Sequence, residues 1–330
     1  MRWKRFIVSA LLVAAVSSSF ACGYCEPDAS STYMFKTYDI APYLQYKEDA
    51  NFYNVGFWYQ YANKEVPRSE VWAALNDCHA VDVENGKNAF FAYLKKKHDS
   101  DALAYWETVL AFQDLTGDEW DYAESVDSAA MREMAKTLEA AGRKCDDASL
   151  KERFAYQYIR IMFALNEYKQ CRQAWENGGE QWQDTVLRKQ GRLYYAGALF
   201  YTGELCKAAD IYGECSDWNS LRFFKGKLEF MQELYNYNPR SKALMFFVQN
   251  YENSYQDGKN VDVKKFTDFC KQVLKEKKTD NPAMWQAALA HIAFLDRNYA
   301  KAIEMIEKAC NMDGDQIVKD NARFLRLVYH

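Results

Sequence analysis

Residues 280–315, DNPAMWQAALAHIAFLDRNYAKAIEMIEKACNMDGD, place two amphipathic stretches on either side of a three-residue turn. Asn281 is suited to cap a helix and Pro282 to occupy its first position, where a missing N–H costs nothing. Trp285, Ala288, Leu289 and Ile292 then recur at helical spacing, and Asp296-Arg297-Asn298 interrupts them. Tyr299, Ala302, Ile303, Ile306 and Ala309 form the second stripe, with Gly314 expected to end it. Helices joined so tightly run antiparallel as a hairpin. A chain built of such units buries the apolar face of each on its neighbours.

The same grammar recurs at 191–215, GRLYYAGALFYTGELCKAADIYGEC. Tyr195, Ala196 and Leu199 precede a Thr202-Gly203 turn, and Leu205, Ala208 and Tyr212 follow it. It recurs again at 154–178, with Tyr158 and Met162, an Asn166-Glu167 turn, then Tyr168, Cys171 and Trp175. Small residues fall where two helices must cross closely. These hairpins resemble tetratricopeptide (TPR) repeats, which have a period of about 34 residues and a small residue on each helix of the pair. Ala196, Gly203, Leu205, Ala208 and Tyr212 match that order, as do Leu289, Ala290, Tyr299, Ala302 and Ala309; Ile159 departs from it, and the proline that closes each repeat is absent. The resemblance implies an all-α, right-handed α-α superhelix, a TPR-like solenoid. It further implies a concave face that holds a protein or peptide partner.

Further helices are predicted over Asp217–Tyr237, Arg240–Gln256 and Val261–Lys277. The first half is helical with less regularity, over Ala50–Asn63, Ser69–Asn76, Lys87–Lys97 and Asp99–Leu115, with Ser69 as a cap and Pro67 as a break. Only 5 Pro and 14 Gly accompany 24 Tyr, 20 Phe and 9 Trp, a balance that favours packed helices over a turn-rich barrel. The polar stretch Gly117–Ser128 is the expected seam between the halves. The predicted organisation is therefore a signal peptide at 1–21, an extended arm or tether at 22–48, lying on the first helices, an irregular helical region at 49–145 and TPR-like repeats at 146–330.

The start of the chain points to export. Arg2, Lys4 and Arg5 precede an apolar or small run from Phe6 to Val16, and Ser19-Phe20-Ala21 supplies small residues at the two positions a signal peptidase inspects. The run is shorter than the roughly 20 apolar residues a membrane span needs. Ala21 before Cys22 matches part of a lipoprotein signal, so Cys22 is the candidate lipid anchor, tied to a membrane surface through the acidic arm. A cysteine followed by an aromatic-rich arm also resembles exported proteins of Bacteroidetes-type bacteria, a likeness that implies no activity. The expected location is the bacterial periplasm or outer membrane.

A net charge of −4 offers no footprint for nucleic acid. The runs Lys95–His98 and Lys275–Lys278 read as solvated last turns of helices. Cys171, Cys206 and Cys310 stand where a helical core wants a small apolar residue and read as buried free thiols. No pair of closely spaced ligands repeats downstream of Cys25, so no metal and no cofactor is expected. Asp77, Cys78 and His79 read as a polar helix end, and Asn311–Gln316 lacks the alternating ligands of a calcium loop. Glu124, before Ser125, resembles the acid of a lytic transglycosylase, a weaker alternative that would make the chain a cell-wall glycan-cleaving enzyme. The favoured expectation is binding without catalysis. The candidate partner-binding residues are Phe57, Trp58, Tyr61, Tyr158, Tyr195 and His291, and glycan stacking on exposed rings, including Tyr33, Phe35, Tyr38 and Tyr43, is the alternative.

Overall fold

Several helices begin where a short polar side chain turns back on its own backbone. In the computed structural model, which describes residues 33–39, 52–116, 127–225 and 228–330, Asn88, Asp127, Asp147, Asp184, Asp262 and Asn298 each accept a backbone N–H from the first turn that follows. Each such cap stabilises its helix by about 1 kcal/mol. The described residues are all-α, with no strand among them.

The chain divides into two compact units. The larger, residues 39–246, holds α1 (52–61), α2 (Arg68–Asn76), α3 (Ala80–Asn85), α4 (Ala89–Lys96), α5 (Ser100–Thr116), α6 (Ser128–Lys144), α7 (Ala148–Ala164), α8 (Tyr168–Glu176), α9 (Thr185–Tyr201), α10 (Leu205–Glu214), α11 (Trp218–Leu221), α12 (Leu228–Tyr237) and the start of α13 (Ala243–Gln256). From α5 to α11 each helix packs on the next, and α7 also packs on α5 and α9. One end of its core is aromatic: Trp58, Phe90, Phe91, Tyr105 and Trp106 are buried together, the Trp58 and Trp106 rings 5.0 Å apart.

The other unit joins residues 33–38 to the rest of α13, α14 (Val263–Glu276), α15 (Pro282–Leu295), α16 (Tyr299–Cys310) and α17 (Gln316–Tyr329). Helix α15 packs on α14, α16 and α17 and is buried from Ala283 to Ala293, as a helix apolar around most of its circumference must be. Residues 33–38 lie along these C-terminal helices. The Thr37 N–H donates to Gln249 Oε1 at 2.6 Å, the Lys36 N–H to Asn321 Oδ1 at 3.1 Å, and Asn321 Nδ2 returns a bond to the Met34 carbonyl. Phe35, fully buried, stacks on His291.

One turn recurs. At His98, Asn166, Gly203, Ser216 and Arg297 the backbone takes a positive φ, and the next helix starts two residues later. In each, the residue after the left-handed one donates its N–H five residues back: Asp99 to Leu94, Glu167 to Met162, Glu204 to Leu199, Asp217 to Tyr212 and Asn298 to Ala293. This is a Schellman closure, which satisfies the carbonyls orphaned at a helix end. After four of the five, a bulky residue opens the next helix and a fully buried one follows three positions later: Cys171, Ala208, Leu221 and Ala302.

Several local expectations are corrected. Asp217–Tyr237 is broken into α11 and α12, because Arg222 and Phe223 turn between them. Pro67, not Ser69, stands at the N-cap of α2. Helix α16 ends at Cys310 with Asn311 as its cap, so Gly314 serves the following loop instead. Helix α3, six residues long, has too short a stripe to be read from periodicity. The expected seam at Gly117–Ser128 lies outside the described residues save for its last two; the observed division follows Phe246.

Candidate binding clefts

Two clefts open along the hairpins of the larger unit. The first, of about 370 Å³, lies among α6, α7 and α8. Its apolar side is made by Leu138, Phe154 and Trp182, and its rim by Glu139, Arg143 and Lys151. Tyr158 lines it half-buried, with burial raising its hydroxyl above the ordinary tyrosine value. Gly142 brings α6 against α7, since a Cβ there would sit 3.0 Å from that of Phe154.

The second cleft, of about 400 Å³, lies among α8, α9 and α10. The Tyr195 ring is buried beside Trp175, and its hydroxyl donates to Glu176 Oε1 at 3.0 Å while accepting from Lys207 Nζ at 2.7 Å. Arg192 bridges Glu180 and Glu214, at 3.2 and 2.6 Å. Glu176, Glu180, Asp210 and Glu214 thus outnumber the two cations here, and the cleft is polar and acidic.

The remaining predicted contact residues are placed differently. Phe57, Trp58 and Tyr61 form one ring cluster on α1. The Arg153 guanidinium lies 3.5 Å over the Phe57 ring, Trp58 is 1% exposed, and the Tyr61 hydroxyl donates to Asp99 at 2.7 Å. His291 belongs to the other unit, fully buried, with Nδ1 2.9 Å from the Tyr329 hydroxyl; burial pulls its pKa down to about 4. Trp58 and His291 are therefore committed to packing, because a ring without accessible surface has none to offer a macromolecule. Tyr158 and Tyr195 do line clefts, adjacent ones.

Among the ring platforms suggested for glycan, Phe35 is core and Tyr43 lies outside the described residues, as do Cys22, Cys25 and Glu124. On α1 and α2, Phe52, Tyr53 and Trp72 are exposed, the Phe52 and Trp72 rings 6.0 Å apart. Cys78 and His79 do not form a reactive pair. Burial raises the Cys78 thiol, whereas His79 caps α3 and hydrogen-bonds Asp114 at 2.6 Å, which raises its pKa. Cys171 is a buried free thiol; Cys206 and Cys310 are free but only half-buried. Among the described residues no three His, Cys, Asp or Glu side chains converge to hold a metal ion, and no helix is long and apolar enough to cross a membrane.

What the sequence reading passed over is a third cavity, bordered by Arg153 and Arg160 of α7. Its signal was present as two arginines two turns apart on one helical face, with Tyr156 and Gln157 between them. No protein-family model, no curated protein and no solved structure matches this chain.

Proposed function

We propose that this chain is an exported helical-repeat binding protein of the bacterial cell envelope, whose TPR-like superhelix holds a protein or peptide partner. The single observation that carries the repeat reading is the shared turn. The same left-handed conformation, the same closure and the same buried position after it recur at 166, 203, 216 and 297, which is what reuse of one hairpin unit would leave behind. Repeats of this kind offer extended grooves and seldom need chemistry of their own. The two clefts lined by Tyr158 and Tyr195 lie on successive hairpins; the first supplies an apolar wall with a charged rim and the second a polar, acidic one, together a suitable surface for an extended segment. The segment assignment 1–21, 22–48, 49–145 and 146–330, and lipidation at Cys22, belong to the same proposal and rest on the sequence pattern alone.

In vivo crosslinking from the native envelope is expected to capture one protein repeatedly, and Tyr158→Glu with Lys207→Glu to lose it while the fold persists. Capture unaffected by both substitutions overturns the cleft assignment. Calorimetry that shows sugar binding without any protein partner would favour the glycan alternative, for which Phe52 and Trp72 are one pair of exposed neighbouring rings. Cys22→Ser is expected to shift the protein from membrane to soluble fractions.

A further inference from the structure

The third cavity, of about 270 Å³, shares no lining residue with the two clefts and does not depend on the partner-binding reading. Helices α1, α2, α5, α7 and α9 enclose it. Its lining contains two arginines and not one carboxylate. A cationic pocket with no acid of its own is poised for an anion, since the alternative is a guanidinium held in a partly dry wall without a counter-charge.

The two cations are not equivalent. Arg153, 2% exposed, is already answered: one of its terminal nitrogens meets Asp184 Oδ2 at 3.2 Å and the other donates to Asn54 Oδ1 at 3.2 Å. Arg160 has no ion pair among the described residues. It donates to Gln157 Oε1 at 2.9 Å, and its guanidinium lies 5.5 Å from the Phe112 ring and 5.9 Å from that of Tyr156. Gln157 is itself oriented by Tyr105, to whose oxygen its Nε2 donates at 3.0 Å; the Tyr105 proton is left without an acceptor among the described residues. Two buried N–H groups in the wall, Arg153 Nε and Trp106 Nε1, also lack acceptors, so their dipoles add to the positive potential.

We propose that this cavity binds a small molecule bearing a single carboxylate on an aromatic or apolar body, the carboxylate bridging Arg160 and the Tyr105 hydroxyl and the body resting against Leu75 and Tyr156, two lining side chains that keep accessible surface. One uncompensated guanidinium matches one negative charge, so a phosphate dianion would overshoot it. The volume suits one ring with a short acid arm, given that a cavity of about 150 Å³ accommodates benzene. Planar guanidinium and carboxylate groups also meet two bonds at a time, which fixes orientation.

The test uses the folded full chain and 3-phenylpropionate, with 3-phenylpropanamide as the uncharged counterpart, followed by tryptophan fluorescence and calorimetry. Saturable binding of the acid is expected, with the amide at least tenfold weaker and Arg160→Gln at least tenfold weaker at an unchanged thermal midpoint. Equal binding of acid and amide by the wild-type protein overturns the proposal whether or not any variant folds. So does an Arg160→Gln protein that binds like wild type, the lack of any saturable signal, or inorganic phosphate displacing the acid at lower concentration than the acid itself requires.

Discussion

Cys78 and His79 are neighbours in sequence, yet the thiol is raised by burial and the imidazole is bound to Asp114. The hydrogen bond to the Asp114 carboxylate favours the imidazolium, so His79 is expected to titrate above its ordinary value of 6.5. A folded pKa above the unfolded one contributes stability that is complete below 6.5 and fades as the pH rises through the folded value. NMR titration of the imidazole should show this upward displacement, and Asp114→Asn should return the midpoint to about 6.5. An unchanged midpoint in the variant would separate the two groups. Adjacency in sequence was legible here; the partner, thirty-five positions away, was not.

At the level of elements, most helices were legible because their stripes are long and their caps are Asn or Asp. Helices α5, α7, α9, α15 and α16 are each found within the stretches read as helical or extend them by about two turns or less. The turns at 166–167, 202–203 and 296–298 were legible in position but not in geometry. Asn166, Ser216 and Arg297 adopt the left-handed conformation without glycine, and only the closing hydrogen bonds reveal that Gly203 belongs with them. Close helix approach is likewise invisible in one dimension. Gly213 of α10 faces the start of α13, where an added Cβ would lie 2.3 Å from the Ala243 nitrogen. Because the obstacle is backbone, it cannot rotate away. Gly213→Ala is therefore expected to destabilise the protein by about 1–3 kcal/mol in chemical denaturation. That loss would exceed the gain of up to about 1 kcal/mol that alanine brings to an ordinary helix position.

At the scale of the whole molecule, pH acts on the C-terminal unit through two buried groups of opposite sense. Glu252 is fully buried with neither carboxyl oxygen hydrogen-bonded, and its pKa is raised well above 4.5 by burial; its carboxylate would also oppose ionisation of Cys270, Tyr255 and Tyr329. Above pH 4.5 the unfolded chain gives up this proton while the folded chain keeps it, so stability falls as the pH rises. His291 works in reverse: its contribution is complete above pH 6.5 and is lost as the pH falls through about 4. Glu252→Gln removes the first slope only. Its thermal midpoint relative to wild type is expected to climb as the pH rises above about 4.5, and a constant offset would exclude the effect. The sequence by itself determined the all-α class, the positions of most helices and the hairpin grammar, because helical periodicity and capping are written within a few turns of chain. Only the tertiary structure decided that residues 33–38 settle on α13, α15 and α17, that Trp58 and His291 are core, and that Arg160 faces an acid-free cavity. Those outcomes depend on contacts between residues dozens to hundreds of positions apart, and hydrophobic burial, being non-directional, leaves no local mark of which partner it will find.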